Sequence, residues 1–283
     1  MQISEINIYP IKSLKGISVD EALVTAHGLQ YDRRWVLTSA DGQFLTQREI
    51  PKMATVLVEI RPNGLLVAAD GITAMVVPFD VSGELTSFEV WGSSSDAIAY
   101  GGGVDQWFSQ VLGTQVKLFY MPETAGREIS ERFNQGGEVV SFADGYPQLV
   151  IGEASLADLN GQPGMVAAPV AMKRFRPNIV VHGSEAYAED RWKRISVGGA
   201  EFRGTKPCAR CVMTTVDPER GQFDGKEPLR TFATFRMAKD VIPDLYESFG
   251  MSPTAVLFGQ NLVGESIGST IKVGDTVDVA ETF

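Results

Sequence analysis

Residues 54–79, ATVLVEIRPNGLLVAADGITAMVVPF, carry the pattern that decides the fold. Three short runs, Ala54–Ile60, Gly64–Ala69 and Ala74–Phe79, are rich in β-branched and apolar residues and recur at the spacing of a barrel or sandwich. Upstream, Ile3, Glu5, Ile6, Ile8 and Tyr9 alternate before Pro10, a strand ended by a turn. Ala22–Ala26, Arg34–Thr38 and Phe44–Thr46 read the same way, parted by His27-Gly28, by the hairpin-forming Asp41-Gly42 and by Ile50-Pro51. The first third is expected to be mostly β.

Downstream, strands are expected at Leu149–Ile151, Asn178–Val181, Ile195–Val197, Ala200–Phe202 and Val212–Val216, with a closing hairpin over Ile271–Val279 around Gly274-Asp275. Helix signals are few. Asp105–Gly113 offers a cap at Asp105, apolar pairs four apart and a glycine stop, and Gly152–Asn160 reads as a second short helix. Gly101-Gly102-Gly103 reads as a turn. The polar, glycine-flanked stretch 126–137 reads as a linker or mobile loop, so a domain boundary is expected near 122–130. The fold class is mainly β, with a few short helices.

With 283 residues, 44% of them hydrophobic and 21% charged, the chain has the composition of one large or two ordinary globular domains. No apolar run reaches the length of a membrane span, and the N-terminus lacks the basic and apolar segments of a signal peptide. Two cysteines make no disulfide framework, so a reducing cytoplasm is the expected compartment. A formal net charge of −10 argues against nucleic acid as a partner, though a minority of cations can still line one concave anion site.

Both cysteines lie in Thr205-Lys206-Pro207-Cys208-Ala209-Arg210-Cys211-Val212-Met213-Thr214-Thr215. Neighbouring cations stabilise a thiolate, the form of cysteine that attacks electrophiles or ligates metals. Three readings stay open here. Each cysteine can be a small buried apolar group. The pair can be redox-active, although the strand-like residues that follow differ from the helix start such a motif prefers. Or it can contribute to a zinc site, for which only His27 and His182 remain as distant partners.

Several blocks are denser in cations and hydrogen-bond donors than plain loops: Lys12-Ser13, Asp32-Arg33-Arg34, Thr46-Gln47-Arg48, Arg174-Phe175-Arg176-Pro177-Asn178 and Arg210 beside Cys211. The planar fork of arginine suits phosphate, yet each cation taken singly is more often a solvated surface group. Neither the dinucleotide nor the P-loop glycine pattern occurs.

Taken in order, these blocks resemble the MOSC-domain family with its companion N-terminal β-barrel, and within it the amidoxime-reducing components and their bacterial relatives. The resemblance runs through Tyr9-Pro10-Ile11-Lys12-Ser13-x-Lys15-Gly16, Tyr31-Asp32-Arg33-Arg34-Trp35, Glu153–Asn160, Phe175–Val180, Tyr187-Ala188-Glu189-Asp190-x-Trp192, Arg210-Cys211-x-x-Thr214-Thr215-Val216-Asp217-Pro218, Leu257-Phe258-Gly259-Gln260 and Thr270–Asp275. It implies an N-terminal barrel domain over 1–122 and a MOSC domain over 128–283. It implies a molybdenum–molybdopterin cofactor with Cys211 as the protein's metal ligand and catalytic residue. Lys12, Ser13, Arg33, Arg176 and Asn178 would hold the pterin phosphate. Asp144, Gly145, Tyr146, Arg210 and Asn261 would line the rest, Asn261 standing where relatives carry a tyrosine.

The activity implied is reduction of small N-hydroxylated compounds by oxygen-atom transfer at molybdenum. Since two cysteines cannot ligate an iron–sulfur cluster as well, electrons are expected from a separate ferredoxin, flavodoxin-type reductase or cytochrome. The alternative is a non-catalytic cofactor carrier or sulfur-delivery protein.

Overall fold

The chain's first strand, Gln2–Ile8, is built into a sheet that belongs mainly to its second half. The computed structural model describes residues 1–90 and 92–283, excepting the side chains of Phe88 and Ser93. Its largest sheet has eight strands in the order Ile17–Val19, Gln2–Ile8, Ile179–His182, Gln148–Gly152, Leu257–Gly264, Ala200–Ala209, Trp192–Val197, Val277–Thr282. Neighbours are antiparallel except Gln148–Gly152 with Ile179–His182. These two parallel strands sit mid-sheet and are buried almost throughout, which explains their uninterrupted apolar sequence.

The register of the first strand brings distant residues together. Ile6 pairs with Ile179, and the Asn7 amide donates to the Asn178 carbonyl at 2.8 Å. Residues just after the first strand therefore face those just before Ile179. A second tie is Thr270–Lys272, which pairs with Glu21–Thr25. The remaining N-terminal residues form the meander Leu57–Arg61, Gly64–Ala69, Ile72–Pro78 and a four-stranded sheet of Trp35–Ser39, Val116–Tyr120, Ser93–Ala99 and Leu85–Val90. Trp35, Met53, Leu65, Val67, Val77, Phe108 and Leu118 form their shared core. The mainly β class is as expected, and no helix among the described residues is long and apolar enough to cross a membrane.

Several local readings are corrected. The first helix is Gly102–Leu112, so Gly102 and Gly103 open it; Asp105 instead accepts the Leu118 amide at 2.9 Å. Gly113 does end it, in the left-handed conformation. Phe44 makes only an isolated bridge, and Pro51–Thr55 is a 3-10 turn preceding the strand. Val212–Thr215 is also 3-10, because the Thr214 and Thr215 hydroxyls donate back to the carbonyls of Cys211 and Val212 at 3.0 and 2.8 Å. Around Gly274-Asp275 there is a turn, but its strands join different sheets. Nor is 126–137 a loose linker. Arg127–Glu128 pairs with Val139–Val140, and the buried Arg127 donates to the carbonyls of Ser141, Ala143 and Asp144.

Glu189 is fully buried, accepting the Gly152 amide at 3.1 Å and the Ser155 hydroxyl at 2.9 Å at the start of helix Glu153–Gly161. Burial, then the neighbouring Asp190, pushes its carboxyl up from 4.5 to about 7. Between these values the folded chain binds more protons than the unfolded one, so stability falls as pH rises through that window. We expect Glu189→Gln to gain on the wild type from pH 4.5 to 7.5 by up to about 3 kcal/mol. Chemical denaturation across pH reads this, and a constant difference would contradict it.

Candidate active site

Tyr9 follows the first strand, and two guanidiniums lie against its ring, Arg33 at 4.4 Å and Arg176 at 4.1 Å from the centroid. The Tyr9 hydroxyl donates to the Pro177 carbonyl at 2.9 Å. Arg33 donates to Asp32 Oδ2 at 2.6 Å, to Asn178 Oδ1 at 3.1 Å and to the Arg176 carbonyl at 3.3 Å. Asn178 is pinned in turn by the Asn7 carbonyl and the Leu149 amide. Ser13, Arg33 and Arg176 all have positive φ, at 67°, 50° and 57°. Non-glycine residues avoid this region, and such strain gathers where surrounding contacts over-determine the backbone, often at functional sites.

Asp32 anchors the arrangement. It is fully buried, accepts the Tyr9 amide at 2.8 Å and faces Arg33. Asp32→Ala would leave Arg33 without its buried carboxylate, and we expect a loss of about 3–5 kcal/mol in unfolding free energy. A loss under 1 kcal/mol in urea denaturation would contradict this role.

Lys12 is buried and donates to the Phe142 carbonyl at 2.8 Å and to Asp144 Oδ1 at 2.5 Å. Burial pulls its ammonium below the usual range, an effect opposed by Asp144. Arg176 is likewise pushed down, to about 10, by burial and then by Arg33. Arg210 donates to the carbonyls of Phe258 and Phe175 at 2.8 and 2.9 Å, and Asn261 to that of Lys206 at 3.0 Å. Burial pushes the Tyr146 phenol up to about 12.

Lys12, Ser13, Arg33, Arg176 and Arg210 line one small cavity of about 110 Å³. All ten of the non-cysteine positions named from the sequence line it: Lys12, Ser13, Arg33, Asp144, Gly145, Tyr146, Arg176, Asn178, Arg210 and Asn261. A chain of net charge −10 thus presents here five cations (Lys12, Arg33, Arg48, Arg176, Arg210) and a single carboxylate, Asp144. Among the described residues, Arg176 Nη2 and Arg210 Nη2 are buried without a hydrogen-bond partner, as are both polar atoms of the side-chain amide of Gln148, another lining residue. Buried donors of this kind are costly unless a ligand meets them. The donor set fits an anionic, hydrogen-bonding ligand such as a pterin phosphate.

Cys208, next to last in strand Ala200–Ala209, lines the cavity, whereas Cys211, half-buried at the head of the 3-10 turn, is not among the lining residues and meets one of them, Arg48. The pair therefore leaves a strand rather than entering one. Burial pushes the Cys208 thiol up from its usual range. Cys211 Sγ accepts from Arg48 Nη2 at 3.3 Å. Among the described residues no three of His, Cys, Asp and Glu gather to hold a metal, and His27 and His182 are engaged with Ala125 and Glu153. A zinc site built on protein ligands alone thus lacks its partners.

Sequence reasoning grouped Arg48 with the cations but did not place it beside the thiol. The missed signal is Thr46-Gln47-Arg48-Glu49, a capping-box pattern. Its geometry is present: the Thr46 amide and hydroxyl both donate to Glu49 Oε2, at 2.9 and 2.6 Å, and the Arg48 amide donates to Thr46 Oγ1 at 3.1 Å. Gln148 gave no signal, being an isolated polar residue before an apolar run.

Two domain families match the sequence: the MOSC N-terminal beta barrel domain over residues 1–115 and the MOSC domain over residues 137–278. Over 288 residues the chain is 37% identical to mitochondrial amidoxime reducing component 2 of Rattus norvegicus, covering 97% of this chain and 82% of that protein. It is 33% identical to mitochondrial amidoxime-reducing component 1 of Homo sapiens over 286 residues, with the same two coverages. Similarity to the molybdenum cofactor sulfurase of Solanum lycopersicum is 31% over 261 residues, covering 85% of this chain but 32% of that longer protein.

Proposed function

Since the chain belongs to the MOSC-domain family, we propose that it is a molybdenum-cofactor-dependent reductase that converts small N-hydroxylated compounds, N–OH to N–H. The observation that carries this reading is the convergence of ten residues, spread from Lys12 to Asn261, on one cationic cavity with unpartnered guanidinium nitrogens. We assign Lys12, Ser13, Arg33, Arg176 and Asn178 to the cofactor's phosphate end. Asp144, Gly145, Tyr146, Arg210 and Asn261 hold its remaining polar edge, and Cys211 is the metal ligand and catalytic residue. A soft thiolate suits a metal already held by sulfur. When bound, the cofactor supplies oxygen-atom transfer and two-electron chemistry.

The chain's own residues set the conditions for that chemistry. Tyr9 packs against both the Arg33 and Arg176 guanidiniums, so their donors are pre-organised and little entropy is lost on binding. Arg127 fixes the 143–144 backbone by donating to its carbonyls, which holds Asp144 against Lys12. No general acid or base is assigned among the side chains. The two protons consumed with the two electrons, as water leaves, are drawn from solvent.

Electrons come from a separate carrier: a ferredoxin, a flavodoxin-type reductase or a cytochrome. Given a net charge of −10, an acidic carrier would need a local basic contact on this surface. We further propose a division into units 1–122 and 128–283, with the cavity formed by both, and a cytoplasmic location. Loaded protein supplied with a chemical reductant and an aromatic amidoxime should release the amidine at a rate proportional to its molybdenum content. Stoichiometric cofactor with no turnover of any N-hydroxylated compound would favour the alternative, a carrier or sulfur-delivery protein.

A further inference from the structure

Arg48 and Cys211 lie 163 residues apart, yet the guanidinium donates to the sulfur at 3.3 Å. The contact is built rather than incidental. The Thr46–Glu49 turn fixes the backbone of Arg48, and Gln47 Nε2 donates to the Ser13 carbonyl at 2.7 Å, tying that turn to the Lys12-Ser13 loop. The next element, Pro51–Thr55, packs on the hairpin that follows Cys211, Val216–Asp217 paired with Gln222–Phe223. At Gly221, φ +60°, an added Cβ would come within 3.0 Å of the Lys52 backbone. Both ends of the contact are therefore carried on segments that pack against each other, and Arg48 also lines the cavity.

We propose that Arg48 is a positioning residue for the metal-ligating sulfur, holding Cys211 Sγ in place beside the cavity and withdrawing negative charge from it. This rests on Cys211 being the ligand. Groups that hydrogen-bond to a metal ligand orient it and tune the metal, and hydrogen bonds to metal-bound sulfur raise the reduction potential. A higher potential makes the centre easier for a carrier to reduce. Arginine suits the task better than lysine because its planar fork holds one orientation.

Arg48→Met and Arg48→Lys are compared with wild type as loaded enzymes and as metal-free protein. In the loaded state, Arg48→Met should show a lower midpoint potential, a changed Mo(V) EPR signature and a kcat reduced by about tenfold or more, while KM moves less than about twofold. Arg48→Lys should fall between. Metal lost from the Met variant but kept in the Lys variant would equally support a held sulfur. In metal-free protein, the ratio of iodoacetate to iodoacetamide alkylation at Cys211, mapped by peptide mass, should fall several-fold in Arg48→Met, because the anionic reagent loses its cation.

An unchanged potential and EPR signal in Arg48→Met would overturn the proposal. Equal loss of metal from both folded variants would also overturn it, since Arg48 would then serve cofactor binding in general. A wild type without molybdenum would sink the functional reading instead, and the alkylation ratio would then decide the placement of Arg48 by itself.

Discussion

Cys211→Ser should lose molybdenum and N-hydroxy reductase activity together, by more than about 100-fold, since even groups that only contact a ligand are worth about 10–100-fold. A serine hydroxyl is harder and far less acidic than a thiol, so it neither ionises at neutral pH nor suits a sulfur-bound metal. Cys208→Ser should be mild, within about threefold, as its thiol lies at the cavity wall, is pushed up by burial and, among the described residues, faces no partner stronger than its own neighbour's carbonyl at 3.9 Å. The asymmetry is the informative part. A redox pair or a shared zinc would make the two substitutions equal. Metal content and single-turnover rates on both variants check it, and matched losses would contradict the assignment.

Arg176→Met should separate stability from function. Arg176 is buried in a cluster of cations, its protonated form is disfavoured, and one of its nitrogens has no partner. Replacing such a group by an apolar one of similar size is often neutral or stabilising, because the desolvation penalty goes with the charge. The metal-free variant should therefore unfold at or above the wild-type temperature, despite losing the bond to the Leu14 carbonyl. Cofactor retention should collapse, with about 2–5 kcal/mol of binding energy gone. Arg176→Lys should recover little, since lysine lacks the second donor and the plane that stacks on Tyr9. A variant that is both unstable and still loaded would contradict the account.

The same opposition explains what could be read in the sequence. Strand Gly64–Ala69 was legible to the residue because its pattern and its turns are local. Val212–Thr215 was misread because β-branched residues favour strands on average, while here the threonine hydroxyls close a turn on Cys211. Helix Gly102–Leu112 starts earlier than its apparent cap because glycines at positive φ lead the chain in, which only backbone geometry reveals. The long-range facts had no local signature. Nothing near Gln2–Ile8 says that this strand enters a sheet of residues beyond 148, yet that pairing is what sets Lys12 and Ser13 against Arg176 and Asn178.

Site residues were legible in kind but not in arrangement. Each cation alone looked like a surface group, and only the ordered family resemblance singled out the ten that converge. That resemblance agrees with the domain matches and with relatives of 33–37% identity along nearly the whole chain. The two guanidiniums against Tyr9, the left-handed Ser13, Arg33 and Arg176, and the reach of Arg48 to Cys211 were invisible until the chain was folded.

The most direct measurement is the metal and pterin content of wild-type protein made in a host that synthesises the molybdenum cofactor. The account predicts close to one molybdenum and one pterin per chain, with no zinc. Zinc without molybdenum, or molybdenum without pterin, would contradict it.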